Sequence, residues 1–393
     1  MHRTADPRPA RATGAGRARF GDVVAHDVVD CVDLGRDGDR LTEGFWAVVG
    51  EFDGPVRAWR FADVRRAGDA GPERDDDADG DAWHGPDASA WSTSLDAAAY
   101  RRGVESVRHA VHEGDVYQVN LCRVLEAPLA RADREGGGPE PDAAALARRL
   151  RSANPAPYEG FVHVPTGCGS EPVWVVSASP ELFLDVRDGW VSSGPIKGTA
   201  ATPEGLLEKD RAENVMIADM VRNDLQRVCR PGTVEVTDLL GLERHPGLVH
   251  LVTTVRGRLL AGTGWSALLR ATYPPASVSG APKSSALRLI GELEPVPRGP
   301  YCGAVGWLDA DAGRARLAVG IRTFWWTPER GGLLRFGTGA GITWGSDPDA
   351  EWAETELKAR RLVGLASRGG RPTGDPGDAR DTATTRSEER STT

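Results

Sequence analysis

The segment that most clearly indicates chemistry in this chain surrounds one lysine, in Pro195-Ile-Lys-Gly-Thr199. Gly198 allows the backbone to approach a ligand closely, and the proline fixes the direction of the chain before Lys197. A lysine held among such small and rigid neighbours can lose its charge and act as a nucleophile. A surface lysine in a turn would give the same five residues, so the segment alone leaves both interpretations open.

A pair of acids stands on the helix that we predict for residues 208–228. Asp210 and Glu213 are spaced three residues apart, on the same stripe as the apolar residues of this helix. A buried carboxylate without a partner is costly, so acids on an inward-facing stripe need cations. The alternative is that both acids lie at the helix N-terminus and only interact favourably with the helix dipole.

A second acid pair, Glu351 and Glu354, has the same spacing on the helix predicted for residues 349–365. The start of this helix is indicated by Asp347-Pro348, an N-cap followed by proline at the first position. Lys358 follows Glu354 by four residues, so these two could form an ordinary ion pair on a helix surface. If the two acid-bearing helices met, their carboxylates would suit Mg²⁺, which prefers oxygen ligands and keeps several waters.

Two segments of the C-terminal half could contribute anion-binding groups. The segment Arg316–Trp326 alternates as a strand, and Arg322 lies on the face that Ala318 and Gly320 leave clear. A guanidinium on such a face suits a bidentate interaction with a carboxylate, whereas an arginine on a solvated sheet face is the alternative. The segment Gly337–Gly341 follows a predicted strand and could present backbone N–H groups to an anion. It does not match a dinucleotide fingerprint, because no helix begins directly after its last glycine.

Two further residues have a structural interpretation and a functional one. His250 lies in an apolar run typical of a strand, where a histidine is more often a core residue than a catalytic one. The segment Ser279–Lys283 indicates a tight loop that enters a helix. A lysine in the first turn opposes the helix dipole, which suggests a local partner for Lys283.

The remaining pattern predicts an α+β fold rather than a doubly wound sheet. Short strand-like runs joined by short turns recur through the middle and the C-terminal half, which favours antiparallel pairing. Helices occur between them without regular strand–helix alternation. Besides the two acid-bearing helices, we predict helices at residues 100–113, 143–152 and 284–293.

Composition excludes several classes of protein. With 393 residues and a formal net charge of −9, the chain does not have the basic character of a nucleic-acid-binding protein. We find no apolar run long enough to span a membrane and no signal peptide, and the five scattered cysteines favour reduced thiols in a cytoplasmic protein. We expect disordered tails at residues 1–19 and 367–393, and surface loops at residues 65–86 and 134–141.

Together and in this order, these segments resemble the chorismate-utilising enzymes over residues 96–366, whereas residues 20–95 match only vaguely. Further segments that carry the resemblance are Gly114–Leu121, Ser177–Glu181, Asp210–Asn214, Arg222–Leu225, His250–Val252, Tyr301–Gly306 and Ile321–Thr323. The resemblance implies the fold of anthranilate synthase component I. That fold has two packed antiparallel β-sheets with helices outside and the active site between them.

Two positions distinguish the subtypes of this family. Lys197 stands where the anthranilate synthases usually carry alanine, and Gln118 stands where the isochorismate and salicylate synthases usually carry a water-activating lysine. The combination resembles aminodeoxychorismate synthase component I, which aminates chorismate to 4-amino-4-deoxychorismate for 4-aminobenzoate and folate, or for a secondary metabolite. Anthranilate synthase component I is the nearest alternative. A non-catalytic sensor of chorismate or tryptophan is the alternative from another class.

The resemblance also implies a role for individual residues. Lys197 would be the nucleophile, Glu181 the acid and base near the substrate hydroxyl, and His250 a lesser contributor to proton transfer. The implied Mg²⁺ ligands are Glu213 and Glu354, with Asp210 and Glu351 close behind. The implied substrate-binding residues are Gly198, Thr199, Ser279, Tyr301, Arg322, Gly339, Ala340, Gly341 and Lys358. The sequence contains no nucleophilic Gly-x-Cys-x-Gly motif of a glutaminase, so we expect a separate glutamine amidotransferase subunit to supply ammonia.

Overall fold

The computed structural model describes residues 15–66, 83–131, 140–200, 202–206, 208–245 and 248–369, and the structural statements below concern these residues. The two predicted loops lie mostly outside them, as do most residues of the two predicted tails. The C-terminal part of the predicted first tail is ordered, since residues 17–19 belong to a strand. The prediction of disorder is therefore wrong for residues 17–19.

The described strands pair antiparallel in one continuous hydrogen-bonded network. They are β1 Arg17–Phe20, β2 Val23–Asp33, β3 Phe45–Gly50, β4 Val56–Arg66, β5 Ser92–Thr93, β6 Gln118–Pro128, β7 Tyr158–Val164, β8 Val173–Ser179, β9 Leu182–Arg187, β10 Trp190–Gly194, β11 Ile196–Ala200, β12 Glu235–His245, β13 Leu248–Arg258, β14 Gly280–Ala281, β15 Ala304–Asp309, β16 Arg314–Val319, β17 Thr323–Thr327 and β18 Leu333–Ile342. The pairing runs β11–β13–β10–β9–β16–β15–β3–β4–β2–β1–β7–β8–β17–β18–β6. The predicted antiparallel α+β fold is confirmed.

The helices lie against this network, and the five predicted ones are confirmed within a few residues, whereas α1 and α5 were not predicted. They are α1 Leu34–Asp37, α2 Ala97–His112, α3 Ala143–Ala153, α4 Glu208–Gln226, α5 Trp265–Thr272, α6 Lys283–Leu293 and α7 Pro348–Ala366. The predicted N-cap of α7 is confirmed, because the Asp347 side chain accepts hydrogen bonds from the N–H groups of Asp349 and Ala350. The two acid-bearing helices occupy different places: α4 packs on β11 and β13, and α7 packs on β18 and α2.

Arg322 does not lie in a strand, so the strand predicted for residues 316–326 is wrong. β16 ends at Val319 and β17 begins at Thr323, with a break between them in which Arg322 has a φ of 53°. The reason lies in the pairing: β16 bonds to β15 and β9, whereas β17 bonds to β8 and β18. The chain must cross between two parts of the network here, which an alternating sequence pattern does not reveal.

The glycine-rich segment Gly337–Gly341 lies inside β18 and does not follow a strand as predicted. Its residues pair in unbroken register with β6, from Val124 back to Asn120. Its glycines permit close packing rather than a turn. A Cβ on Gly337 would overlap the ring of Tyr301, and a Cβ on Gly339 would lie 2.6 Å from the sulfur of Cys122.

The state of the cysteines and the hydropathy of the helices were both predicted from the sequence. All five cysteines are free thiols, as predicted. Among the described residues, no helix is long and apolar enough to cross a membrane.

Candidate active site

The two ends of the strand network meet at Lys197. This lysine lies on β11 at one end of the pairing order, whereas Gly341 lies on β18 and Gln118 on β6, at the other end. A Cβ built on Gly341 would lie 2.9 Å from Nζ of Lys197 and would also overlap the Gln118 amide. The amine therefore lies directly over this glycine, and a larger residue at position 341 would displace it.

A bulge in β11 brings the Lys197 strand close to α4. The register of β11 against β13 shifts between Lys197 and Thr199, and Gly198 has a φ of 80° at this point. A Cβ on Gly198 would lie 2.8 Å from the Cβ of Asp210 in the first turn of α4. Glycine is thus needed both for the backbone conformation and for the close approach of the strand to the acid-bearing helix.

Glu213 of α4 lies between two lysines. Its Oε2 atom is 3.8 Å from Nζ of Lys197, and its Oε1 atom is 3.6 Å from Nζ of Lys209. The Lys209 ammonium also lies 3.9 Å from Oε1 of Glu351 on α7. One lysine therefore bridges the two acid-bearing helices, and the inward-facing acids have the cations that their position requires.

The acids of α7 have different electrostatic surroundings. Burial raises the pKa of Glu351, and the neighbouring charge of Glu354 raises it further. Burial also raises the pKa of Glu354, but the charges of Lys358, Lys197 and Lys209 outweigh this and lower it. Nζ of Lys358 lies 2.6 Å from Oε1 of Glu354 and donates a hydrogen bond to the Gly339 carbonyl. We refer to Lys197, Lys209, Lys358, Glu213, Glu351 and Glu354 as the acid–lysine cluster.

The acid–lysine cluster has the donor chemistry that Mg²⁺ requires. Its carboxylates and that of Asp210 are hard oxygen ligands, gathered where α4, α7 and β11 meet. The glutamates are paired with lysines. Among the described residues, no three acidic, histidine or cysteine side chains converge closely enough to bind a metal ion as they stand. A metal ion would therefore replace ammonium groups as the partner of these carboxylates.

Glu181 is the residue best suited to acid–base chemistry. It is 3% exposed at the entry to β9, and burial raises the pKa of its carboxyl group to about 7. Hydrogen bonds from the Ser277 hydroxyl and the Ile196 N–H oppose this rise, as does the charge of Lys197. Its Oε1 atom is buried and has no hydrogen-bond partner among the described residues. A carboxyl group that titrates near neutral pH can both donate and accept a proton.

Arg322 is a partly buried charge without an acidic partner among the described residues. Desolvation lowers the pKa of its guanidinium. A partly desolvated guanidinium without an acidic partner is suited to bind an anion. The role of Arg322 in substrate binding stays a prediction, although its predicted strand is wrong.

Comparison with known proteins identifies the family of this chain. The sequence model of the chorismate binding enzymes matches residues 65–364. The chain belongs to this family. Anthranilate synthase component 1 of Streptomyces coelicolor is 38% identical over 285 residues, which are 70% of this chain and 52% of that protein. Aminodeoxychorismate synthase component 1 of Klebsiella aerogenes is 37% identical over 288 residues, which are 70% of this chain and 59% of that protein. The chain thus spans little more than half the length of these relatives.

A solved structure shows the same fold. The crystal structure of anthranilate synthase component I from Streptococcus pneumoniae superimposes with a TM-score of 0.68 at 24% identity, covering 92% of this chain and 94% of that one. The predicted fold of the chorismate-utilising family is therefore confirmed. At this identity the likeness establishes the fold and leaves the reaction to be argued from the residues.

Three residues predicted from the family resemblance contact other parts of the protein. The Tyr301 ring packs against Gly337 and its hydroxyl lies 3.9 Å from the Cys122 sulfur, while the Ser279 hydroxyl donates to the Pro275 carbonyl. His250 is buried on β13, in register with Thr199 of β11. Their roles in binding and catalysis stay predictions.

Sequence reasoning missed two residues of the site. Lys209 was passed over although it precedes Glu213 by four residues, the spacing of a helical ion pair. Ser277 had no recognisable signal, because only the fold brings its hydroxyl to Glu181. The local partner expected for Lys283 is Asp224 of α4, at 2.8 Å.

Proposed function

We propose that this chain is an aminodeoxychorismate synthase component I, which converts chorismate and ammonia to 4-amino-4-deoxychorismate. The observation that carries this proposal is the position of the Lys197 amine. It lies over Gly341, beside the carboxylate of Glu213 and within electrostatic range of the buried acid Glu181. A nucleophile, an acid–base group and a set of carboxylates thus meet at one place.

The proposed reaction has two steps. In the first, the uncharged Lys197 amine attacks C2 of chorismate, the double bonds shift, and the C4 hydroxyl leaves as water with a proton from Glu181. The new secondary amine then loses a proton, which restores the acid. In the second step, ammonia attacks C4, the bond between C2 and the lysine nitrogen breaks, and a proton passes from the incoming nitrogen to the lysine. A covalent intermediate divides one difficult substitution into two easier ones.

The acid–lysine cluster and Arg322 would bind the dianionic substrate. Glu213 and Glu354 would hold Mg²⁺, with Asp210 and Glu351 close behind, and the bound metal would neutralise a substrate carboxylate. The Arg322 guanidinium would bind a second carboxylate. The remaining predicted binding residues would line the ring or its substituents; they are Gly198, Thr199, Ser279, Tyr301, Gly339, Ala340, Gly341 and Lys358.

We propose that a glutamine amidotransferase subunit supplies the ammonia. The product would serve the synthesis of 4-aminobenzoate, either for folate or for a secondary metabolite. Anthranilate synthase component I is the second candidate, favoured by the similarity to the Streptomyces coelicolor protein of that name. The two activities give different products: anthranilate is aromatic and appears with pyruvate, whereas 4-amino-4-deoxychorismate keeps its side chain.

The test is to incubate the purified chain with chorismate, Mg²⁺ and ammonium and to identify products and protein adducts by mass. We expect an adduct on Lys197 with chorismate alone. The substitution Lys197→Ala should abolish it and lower turnover by at least roughly 10³-fold, a scale typical for loss of a nucleophile. His250→Ala should have a much smaller effect. Full activity of Lys197→Ala would refute the proposed mechanism, anthranilate with pyruvate would establish the second candidate, and no consumption of chorismate would favour a sensor.

A further inference from the structure

A small cavity borders Glu181, between the β9–β10 pair and α4. On one side it is bounded by Glu181, Ser193 and Pro195, which lie in or next to β9 and β10. On the other side it is bounded by Val221 and Leu225 of α4 and by the short turn Ala276–Val278. Its room suffices for about one molecule of the size of water. Most of its wall is apolar, so a charged molecule inside would be disfavoured relative to a neutral one.

Two polar groups that line this cavity have hydrogen-bonding capacity that the described residues do not use. Oε1 of Glu181 is buried without a hydrogen bond, and no described residue bonds the Ser193 hydroxyl, which lies on the same wall. An unpartnered carboxyl oxygen in an apolar wall is unfavourable unless a small donor occupies the space beside it. Such a molecule must donate a hydrogen bond to Glu181 and accept one from Ser193.

The far wall of the cavity is fixed by an ion pair. Asp224 and Thr272 border the cavity there. Nζ of Lys283 lies 2.8 Å from the Asp224 carboxylate and donates hydrogen bonds to the carbonyls of Thr272 and Pro274. The charge of Asp224 is therefore matched, and the open hydrogen-bonding capacity at the cavity belongs to Glu181 and Ser193 among the described residues.

We propose that this cavity is the binding site for ammonia, the neutral nitrogen nucleophile of the second step. This inference rests on the proposed function. Ammonia has three donors and one acceptor and the size of water, so it fits both open partners. The apolar wall favours uncharged ammonia over ammonium, and only the uncharged form can attack C4. The first step releases water beside Glu181, and ammonia must take its place there.

The test narrows the cavity by substitution and measures how the reaction rate depends on the ammonium concentration. We expect Ala276→Val to raise the KM for ammonium by about tenfold or more, the effect of one or two methyl groups in a close-fitting pocket. The KM for chorismate and the rate of lysine adduct formation without ammonium should be unchanged, because neither needs the cavity. Ala147→Val, which narrows a separate small cavity between α3 and β7, is the matched control and should leave the KM for ammonium unaltered.

A second variant tests the same site by enlarging the cavity instead of narrowing it. Val319→Ala enlarges the cavity and should raise the activity with methylamine relative to ammonium by about tenfold or more. An unchanged KM for ammonium in a well-folded Ala276→Val, or continued exclusion of methylamine by Val319→Ala, would overturn the cavity as the ammonia site. Absence of a lysine adduct in the unaltered protein would instead refute the proposed function itself.

Discussion

Glu140, just before α3, and Glu181, at the entry to β9, both have carboxyl groups almost without solvent contact. Every side of Glu140 is occupied: His163 lies 3.0 Å away, Arg131 lies 2.7 Å away, and Thr166 donates from its N–H and its hydroxyl. Glu181 keeps one oxygen without a partner. The same type of side chain is thus fully bonded in one region and incompletely bonded, and more deeply buried, in the other.

The pKa values of the two carboxyl groups are shifted in opposite directions from the ordinary value of a glutamate. Burial alone would raise the pKa of Glu140, but hydrogen bonds from His163 and Thr166 outweigh it and lower the pKa to about 2. Burial prevails at Glu181 and raises its pKa to about 7. Low solvent exposure alone therefore does not decide whether an acid of this protein keeps its proton. The depth of burial and the number of hydrogen bonds to the carboxylate decide it together.

The largest expected effect is on the rate of adduct formation at Lys197, which should depend on Glu181 and not on Glu140. Glu181→Gln should lower the rate of adduct formation on Lys197 by roughly 10²–10⁴-fold, as for other general acids. Glu140→Gln should change this rate less than about threefold, because Glu140 takes no part in the site. Intact-mass measurement of the adduct after mixing with chorismate gives both rates. Equal rates for the two variants would remove the functional contrast.

The second expected effect is an opposite dependence of stability on pH. Between pH 4.5 and about 7 the native state keeps the Glu181 proton that the unfolded state has lost, so stability falls as pH rises through this window, by up to about 3 kcal/mol. Glu181→Gln should remove this fall. For Glu140 the unfolded state binds its proton first, so stability is lost as pH falls from 4.5 towards 2. Glu140→Gln should flatten that acid limb by roughly 1–2 kcal/mol, since its partners are partly exposed.

Urea unfolding of the three proteins across the pH range measures these slopes. The two variants serve as controls for each other, because each should alter one limb of the profile and leave the other intact. If both substitutions changed the slope of stability against pH in the same direction, the assigned pKa directions would be contradicted.

The smallest expected effect is on the affinity for Mg²⁺, which would compete with a lysine for the same carboxylates. Glu213 and Glu351 share the half-exposed ammonium of Lys209 at 3.6 and 3.9 Å, unlike Glu140 with its fixed bonds. Lys209→Met should tighten binding of Mg²⁺ by roughly threefold to tenfold, because a competing charge is removed from both carboxylates. Titration calorimetry measures the affinity. Arg288→Met, which removes the surface ion pair with Glu292, should leave it unchanged. Weaker binding after Lys209→Met would show that the lysine supports the site rather than competes for it.

Local order could be predicted well because its causes lie within a few residues. The bounds of α7 follow from the Asp347-Pro348 start signal and from helical spacing, and the structure confirms them within one or two residues. The close backbone approach predicted at Gly198 is also present, although the neighbour in the structure is Asp210 of α4 and the predicted approach was to a ligand. It failed at Arg322, because the chain changes strand partners there and the partners are remote in sequence.

Five of the helices, the antiparallel α+β class and the family could be predicted from the sequence alone, because spacing, caps and residue type are local properties. Only the tertiary structure decided which of the candidate side chains meet. Lys197 and Gly341 are neighbours because the ends of a long strand network close on each other, and the carboxyl group of Glu181 keeps its proton near neutral pH because packing buries it without completing its hydrogen bonds. Both results depend on contacts between distant segments, and the free energy of such contacts is set by the fold as a whole.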